Sequence, residues 1–314
     1  MGAPRESRAM DPKIGRVRAA LLGWYERNGR SHLPWRLRRS PYRTLVSEFM
    51  LAQTQAERVA AAFEAFVGRF DSFAALAAAS VADVLRAWQG LGYNSRAVRL
   101  RALAQAVVEQ HGGSLPAEAE ALRSLPGVGP YTAAAVRAFA FDLDDAPMDV
   151  NIRRVVQRTF FGLEYPEPAP QSEVESLARD AVPPGRSHDW NSALMDLGAT
   201  ICTARSPKCL LCPLQADCAA APVDAARLNA LRTQASKPAA RLPFERTVRF
   251  ARGRIVDRLR ALEAGATISF LDLHGSLHAL FPERDAGDVR TILAGLERDG
   301  LVTVSEERVS LREG

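Results

Sequence analysis

The chain of 314 residues is 47% hydrophobic and 25% charged, which allows a sizeable core and excludes a disordered tail or a small disulfide-stapled scaffold. Its net charge is +5, and only three of its 41 basic residues, Lys13, Lys208 and Lys237, are lysines; arginine forks suit a polyanionic partner, although charge alone does not single out nucleic acid. No apolar run reaches the roughly 18 residues of a membrane helix, and residues 1–13 lack the apolar centre of a signal peptide, so a soluble, intracellular protein without membrane attachment is expected.

Apolar residues return every three or four positions from about Gly15 to Cys218, the period of amphipathic helices. Helices are predicted over 14–28, 41–66, 72–78, 81–89, 95–110, 117–124, 131–140, 151–160, 171–182 and 190–202, with Pro41 suited to a first turn. From Ala219 to about Pro243 the chain turns rich in Ala and Pro, as a linker would. Helices over 246–262 and 285–298 then flank a weaker one over 270–280. Residues 301–311 alternate like a hairpin turning at 305–307, and helices followed by a terminal hairpin suggest a winged helix.

All four cysteines fall in one short run, Cys202, Cys209, Cys212 and Cys218, with spacing C-x6-C-x2-C-x5-C. A reducing compartment and a C-x2-C pair favour one metal centre over structural disulfides. Four thiolates suit either tetrahedral zinc or an iron-sulfur cluster, and ligand count does not choose between them.

Between two predicted helices lies Leu125-Pro126-Gly127-Val128-Gly129-Pro130-Tyr131-Thr132, whose glycines permit a tight turn and whose free backbone N–H groups can hold a phosphate. Asp149 follows in Pro147-Met148-Asp149-Val150-Asn151-Ile152-Arg153-Arg154, just before another helix. Asp149 or Asn151 reads equally as a helix N-cap, and capping is compatible with catalysis because a helix N-terminus favours a negative group. Glu48 stands among Leu45, Val46, Phe49, Met50, Leu51 and Ala52. Desolvation there is expected to raise its pKa and prepare it as a general acid, unless it is simply a hydrogen-bonded internal glutamate or one exposed in a groove.

The LPGVGxYT hairpin, an aspartate followed by N-[IV]-x-R-V and the four-cysteine run, in this order, resemble the endonuclease III superfamily of DNA glycosylases, and within it most closely the adenine DNA glycosylase (MutY) family. Leu33-Pro34-Trp35-Arg36, the run from Ser47 to Gln55, Gly90-Leu91-Gly92-Tyr93 with Arg96, and Met195-Asp196-Leu197-Gly198-Ala199 carry the resemblance further, over about residues 15–220. It implies a mainly α fold: a helix-hairpin-helix glycosylase core over 14–220, with a helical barrel at about 36–145, a cluster domain from 14–35 and 146–220, and a DNA cleft between the two. A linker at 221–243 and a small winged-helix-like α+β domain at 244–314 would follow.

The resemblance implies a 4Fe-4S cluster on the four cysteines. It makes Glu48 the acid that protonates adenine, at N7, and assists the incoming water, and Asp149 the carboxylate that stabilises or briefly bonds the sugar cation. The nucleotide must first leave the duplex; Gln53 would fill the gap, Tyr93 stack beside the opposite base and Thr54 touch that base. Trp35, Arg36 and Asp196 would recognise the flipped adenine, Tyr131 would lie near its sugar, and Leu91, Gly127 and Gly129 would belong to the DNA-binding turns. Strand-cutting relatives carry a lysine nucleophile where this chain has Tyr131, so a monofunctional, monomeric enzyme acting on double-stranded DNA with adenine opposite 8-oxoguanine or guanine is expected, cytoplasmic and nucleoid-associated in a bacterium.

Ala52 and Val150 depart from the family, where a second glutamine and a small residue are usual, and the Phe-Ser-His element of longer members' 8-oxoguanine-inspecting domain is missing. Arg246, Arg249, Arg252, Arg254, Arg258 and Arg260 instead put a basic helix at the start of the last domain, expected to hold flanking DNA. A thymine or uracil mismatch glycosylase is the nearest rival, opposed by Glu48, which suits a departing purine. A non-catalytic iron-sulfur DNA-binding regulator is the rival of another class, opposed by the retention of both carboxylates.

Overall fold

The computed structural model describes residues 11–165, 167–235, 243–278, 280–282 and 284–314; residues 1–10, Lys237 and most of the second half of the expected linker lie outside them. In chain order come α1 (Pro12–Asn28), α2 (Pro34–Leu37), α3 (Pro41–Leu51), α4 (Ala56–Arg69), α5 (Phe73–Ala78), α6 (Val81–Ala87), α7 (Ser95–His111), α8 (Ala119–Ser124), α9 (Pro130–Ala140) and α10 (Val150–Val156). A π-helical turn, Gln157–Phe161, precedes α11 (Gln171–Asp180), α12 (Ser187–Thr200) and α13 (Ala225–Ala235). The C-terminal part holds α14 (Val248–Arg260), β1 (Ile268–Ser269), α15 (Phe270–His278), α16 (Ala286–Arg298), β2 (Val302–Ser305) and β3 (Arg308–Leu311).

Most predicted helices appear within a few residues of their expected ends, but the helix expected over 41–66 is two. The Arg96 guanidinium takes the carbonyls of Phe49, Met50 and Ala52, acceptors that the next helical turn would otherwise use. The chain breaks there, and Gln53 adopts φ 67°. Three elements were not expected: the single turn α2, begun by Pro34, α13, which lies in the stretch read as linker and buries Leu228, and the two-residue strand β1.

The chain divides into two compact units. The first comprises Met1–Thr44, Ala117–Arg123 and Val128–Ala239. Its core gathers Ile14, Val17 and Leu21 of α1, Ile152, Val155 and Val156 of α10, and Trp190, Leu194 and Leu197 of α12, with Cys202 and Cys212 packed at its margin.

The second unit comprises Leu45–Pro116, Ser124–Gly127 and Ala240–Gly314. Phe63, Phe66, Leu85, Trp88, Leu100 and Leu103 are buried, with the Trp88 ring edge-on to Phe66 at 5.7 Å. Its C-terminal part is a small three-stranded antiparallel sheet of order β1-β3-β2 beside α14, α15 and α16. Glu306 and Glu307 both take positive φ, 46° and 68°, the two-residue turn that matches strand twist. The expected hairpin is present. Val81 N donates to Glu313 O at 3.3 Å and Arg260 Nη2 to Asn94 Oδ1 at 2.8 Å, tying this part to α6 and to the turn before α7.

Candidate functional site

Glu48 lies near the end of α3 and is half-buried, between buried Ser47 and Phe49. The full enclosure expected from its apolar neighbours is therefore partial. Asp149 is the N-cap of α10: its Oδ1 accepts from Asn151 N at 2.9 Å and Ile152 N at 2.7 Å, and its Oδ2 from Asn151 Nδ2 at 2.8 Å. Three hydrogen bonds leave part of the carboxylate's acceptor capacity open, so the cap orients the group without saturating it.

α10 is itself fixed from α12. A Cβ on Gly198 would meet Asn151 Cβ at 2.7 Å and Asn151 Cα at 3.1 Å, so only glycine allows this approach. Arg154, one turn past the cap, donates to Gly198 O and Cys202 O, both at 2.7 Å, and to Asn151 Oδ1 at 2.8 Å. One guanidinium thus joins the Asp149 helix, α12 and the start of the cysteine run. Its role was hidden in the arginine-rich motif around it.

In the same unit Asp196 has a fully buried side chain. Its carboxylate accepts from Arg36 at 2.7 and 3.1 Å and from the backbone N and Nε of Arg30, both at 2.8 Å. Burial alone would raise its pKa, but the hydrogen bonds and charge of Arg36, joined by Arg30, hold it below the usual carboxylate range. Asp196 therefore meets the arginines directly, and Arg30 is a member of the group that the sequence did not single out. Trp35 and Tyr131 are half-buried, the first on α2 and the second at the start of α9. Lys13 Nζ donates to Thr159 O at 2.9 Å and sits 5.1 Å from the centre of the Phe160 ring.

In the second unit, Arg96 Nη2 also reaches Thr54 Oγ1 at 2.9 Å and the carbonyls of Leu91 and Gly92, both at 3.1 Å. One buried cation organises both the 52–55 break and the Gly90-Leu91-Gly92-Tyr93 turn, and burial lowers its pKa to about 10. Thr54 Oγ1 donates to Leu91 O at 3.1 Å. Leu91 is 2% exposed, so its carbonyl, rather than its side chain, belongs to the turn's polar network. Gln53 is exposed, and Tyr93 is 38% exposed at φ 46°. The two stand on one groove with Thr54 and Leu91. Gly127 has φ 78°, and a Cβ there would lie 3.3 Å from the Phe49 ring, so the hairpin demands glycine for both conformation and space. Gly129 caps α9 in extended conformation.

The four cysteines are free thiols lining one pocket with Val155, Leu197, Leu214 and Val223. Among the described residues no group of His, Cys, Asp or Glu is gathered tightly enough for a single ion. Four thiols on one pocket can serve one metal centre, tetrahedral zinc or an iron-sulfur cluster. Burial pushes the Cys212 thiol up to about 11 and raises Cys202 as well, against the opposing charges of Arg158 and Arg154. Arg158, buried and paired with Glu164, donates to Thr203 O at 2.9 Å and approaches Cys202 Sγ at 3.7 Å. These donors fit a negatively charged thiolate cluster.

Comparisons with known proteins agree with this arrangement. Residues 46–184 match the HhH-GPD superfamily of base excision DNA repair proteins, and residues 202–218 the iron-sulfur binding domain of endonuclease III. The adenine DNA glycosylase of Mycobacterium tuberculosis is 42% identical over 260 residues, 81% of each chain. A thymine/uracil-DNA glycosylase of Pyrobaculum aerophilum is 36% identical over 204 residues, 63% of this chain and 88% of that one. Among solved structures, a thermostable thymine-DNA glycosylase superposes with a TM-score of 0.62 at 33% identity, covering 67% of this chain and 97% of its own. The four cysteines are the ligands of a 4Fe-4S cluster.

Proposed function

The chain belongs to the adenine DNA glycosylases, within the HhH-GPD superfamily of base excision DNA repair proteins, and from that premise we propose that it is a monofunctional enzyme that removes adenine opposite 8-oxoguanine or guanine in double-stranded DNA. It acts as a monomer in the cytoplasm, on the chromosome. Among the described residues no helix is long and apolar enough to cross a membrane.

The reading rests on one observation above the others: two carboxylates held in different ways, Glu48 half-buried on α3 and Asp149 capping α10. Unlike environments divide the acid from the charge stabiliser. With the nucleotide flipped out of the duplex, the Glu48 carboxyl gives its proton to adenine N7. The C1′–N9 bond then breaks, with its electron pair going to the base. Asp149, the cap of a helix N-terminus, stabilises the cation left on the sugar. The Glu48 carboxylate next takes a proton from the water that attacks C1′. Arg36, oriented by Asp196, together with Trp35, holds the flipped base, and Tyr131 stands beside its sugar. Gln53 fills the vacated space, while Tyr93 and Thr54 meet the opposite base. The hairpin N–H groups around Gly127 and Gly129 hold a phosphate. The cluster supplies a structural clip for residues 202–218 and takes no part in bond cleavage.

Single-turnover base release tests this on duplexes carrying adenine opposite 8-oxoguanine, adenine opposite guanine, and thymine or uracil opposite guanine. Adenine release is expected to fall by about 10²–10⁴ in Glu48→Gln and to be lost in Asp149→Asn. Asparagine caps helices as well as aspartate does, so the second variant removes charge without removing the cap. Strand breaks should appear only after alkali. The second reading, a thymine or uracil mismatch glycosylase, is favoured by the Pyrobaculum relative and the tyrosine at position 131. Release of thymine or uracil alone would establish it, and no release by cluster-loaded protein would sink both.

A further inference from the structure

The second unit contains a groove of about 680 Å³, within the roughly 300–1,000 Å³ of ligand sites, of which the proposed function uses only the wall that carries Gln53, Thr54 and Tyr93. One wall is the 52–55 break and the Gly90-to-Ser95 turn; the other is α14 of the C-terminal part. Five arginines line it, Arg58, Arg249, Arg252, Arg254 and Arg260, against the single carboxylate of Asp257. Three of the five are spent internally: Arg252 on Asp299, Arg254 and Arg260 on Asp257. The expectation that the whole basic helix holds DNA is narrowed accordingly. Arg58 and Arg249 are exposed and, among the described residues, have no carboxylate partner. Arg249 Nη1 donates to the Tyr93 hydroxyl at 2.6 Å, and its guanidinium lies 4.8 Å from the centre of the Tyr93 ring.

Two further observations point to a ligand. Gln53 and Tyr93 both hold left-handed backbone angles that disfavour residues with a side chain, and both border this groove; strain of this kind collects at functional positions. Gly253 sits inside the 13-residue α14, where glycine weakens a helix, yet a Cβ there would meet nothing within 4 Å. Packing does not explain it. A helix interior kept bare along a cationic groove allows another backbone to approach closely.

We infer that this groove receives the phosphodiester backbone of the DNA strand carrying the base opposite adenine, with Arg58 and Arg249 as its phosphate contacts, so that the C-terminal part shares in reading the mispair. A cationic track beside an exposed aromatic ring is the arrangement that holds a nucleic-acid strand and its bases. Arg249 also acts as a positioning residue, since its bond to the Tyr93 hydroxyl couples a phosphate contact to the ring beside the opposite base. The inference rests on the proposed reading for the choice of strand.

The test measures binding, not base release, on a duplex carrying a tetrahydrofuran abasic analogue opposite 8-oxoguanine or guanine, over a range of salt. Arg58→Ala and Arg249→Ala should each weaken binding about tenfold and lower the slope of log affinity against log salt by about 1. Arg298→Ala, an exposed arginine of α16 outside the groove, should change neither. Arg249→Lys should keep the slope but share with Tyr93→Phe a reduced preference for 8-oxoguanine over guanine, which a purely structural role would not produce. Gly253→Ala should resist unfolding better yet bind more weakly than the parent, and Gly253→Leu should stay folded and bind more weakly still. Methylphosphonates on the strand opposite the abasic site should cost the parent affinity and Arg249→Ala little more.

Unchanged affinity and slope in the arginine variants overturns the groove, and so does tight binding by Gly253→Leu. Equal sensitivity on the abasic strand overturns the strand assignment. Because no base is cleaved, these outcomes stand apart from failure of the parent to release adenine, which would overturn the enzymatic reading.

Discussion

Asp196 and Arg36 lie 160 positions apart, and the sequence suggested each as a separate contact to a base. Their side chains meet instead, with Arg30 as third member, in a group whose carboxylate is entirely enclosed. Removing one partner from a buried charge group leaves the others uncompensated, which costs about 3 kcal/mol or more. Asp196→Asn should therefore lower stability by about that amount in urea unfolding at neutral pH. The folded-state pKa of Asp196 lies below its unfolded value. The carboxylate's contribution is thus complete above the ordinary carboxylate range and is lost as pH falls from that range through the lower folded-state value, so the gap between parent and variant should narrow on acidification. A gap that stays constant with pH would mean that the charge contributes nothing. If Asp196 works through Arg36, the variant should also raise the substrate concentration needed for adenine release more than it slows the bound complex.

At the scale of elements, the helices that carry the candidate carboxylates are held by residues with no chemistry of their own. α10 reaches its position because Gly198 of α12 leaves room for Asn151, and α3 ends where Arg96 takes its carbonyls. Gly198→Ala would bring its Cβ to 2.7 Å from Asn151 Cβ, with Asn151 Cα and O close behind, so the α10 main chain itself must shift. Overpacking of this kind costs roughly 1–3 kcal/mol. Asp149, two residues from the contact, should move with it, so adenine release should fall well below the level explained by unfolding, while binding to the abasic duplex changes less. Equal losses in both would assign Gly198 to stability alone. Arg96→Met would strip hydrogen bonds from several buried carbonyls, at about 1–3 kcal/mol for each one left unsatisfied. Limited proteolysis should then open the chain near the 52–55 break before any other site in the second unit.

Across the whole molecule, what the sequence made legible was local. The hairpin glycines, the Asp149 cap, the cysteine spacing and the terminal hairpin each declare themselves within seventeen residues or fewer, because turn conformation, capping and ligand spacing are local physics. The Arg249–Tyr93 contact spans 156 positions and the Arg154–Cys202 contact 48. Neither leaves a periodic trace, because an arginine on a helix face looks the same whether it meets water, a tyrosine hydroxyl or a carbonyl. The same distinction bears on the cluster. Its cysteines touch the core of the first unit through Leu197, Leu214 and Val155, and Arg154 and Arg158 carry that attachment into α10 and the π turn. The second unit has a core of its own. Cys212→Ser, or oxidative removal of iron, should bleach the visible iron-sulfur absorption and speed amide exchange in residues 202–218, α10 and α12, since holding the metal is part of holding the fold there. Exchange in α4, α7 and α14 should keep its parental rate. A uniform rise across both units would show instead that the cluster supports the whole chain, and unchanged exchange near the cysteines would deny it any structural role.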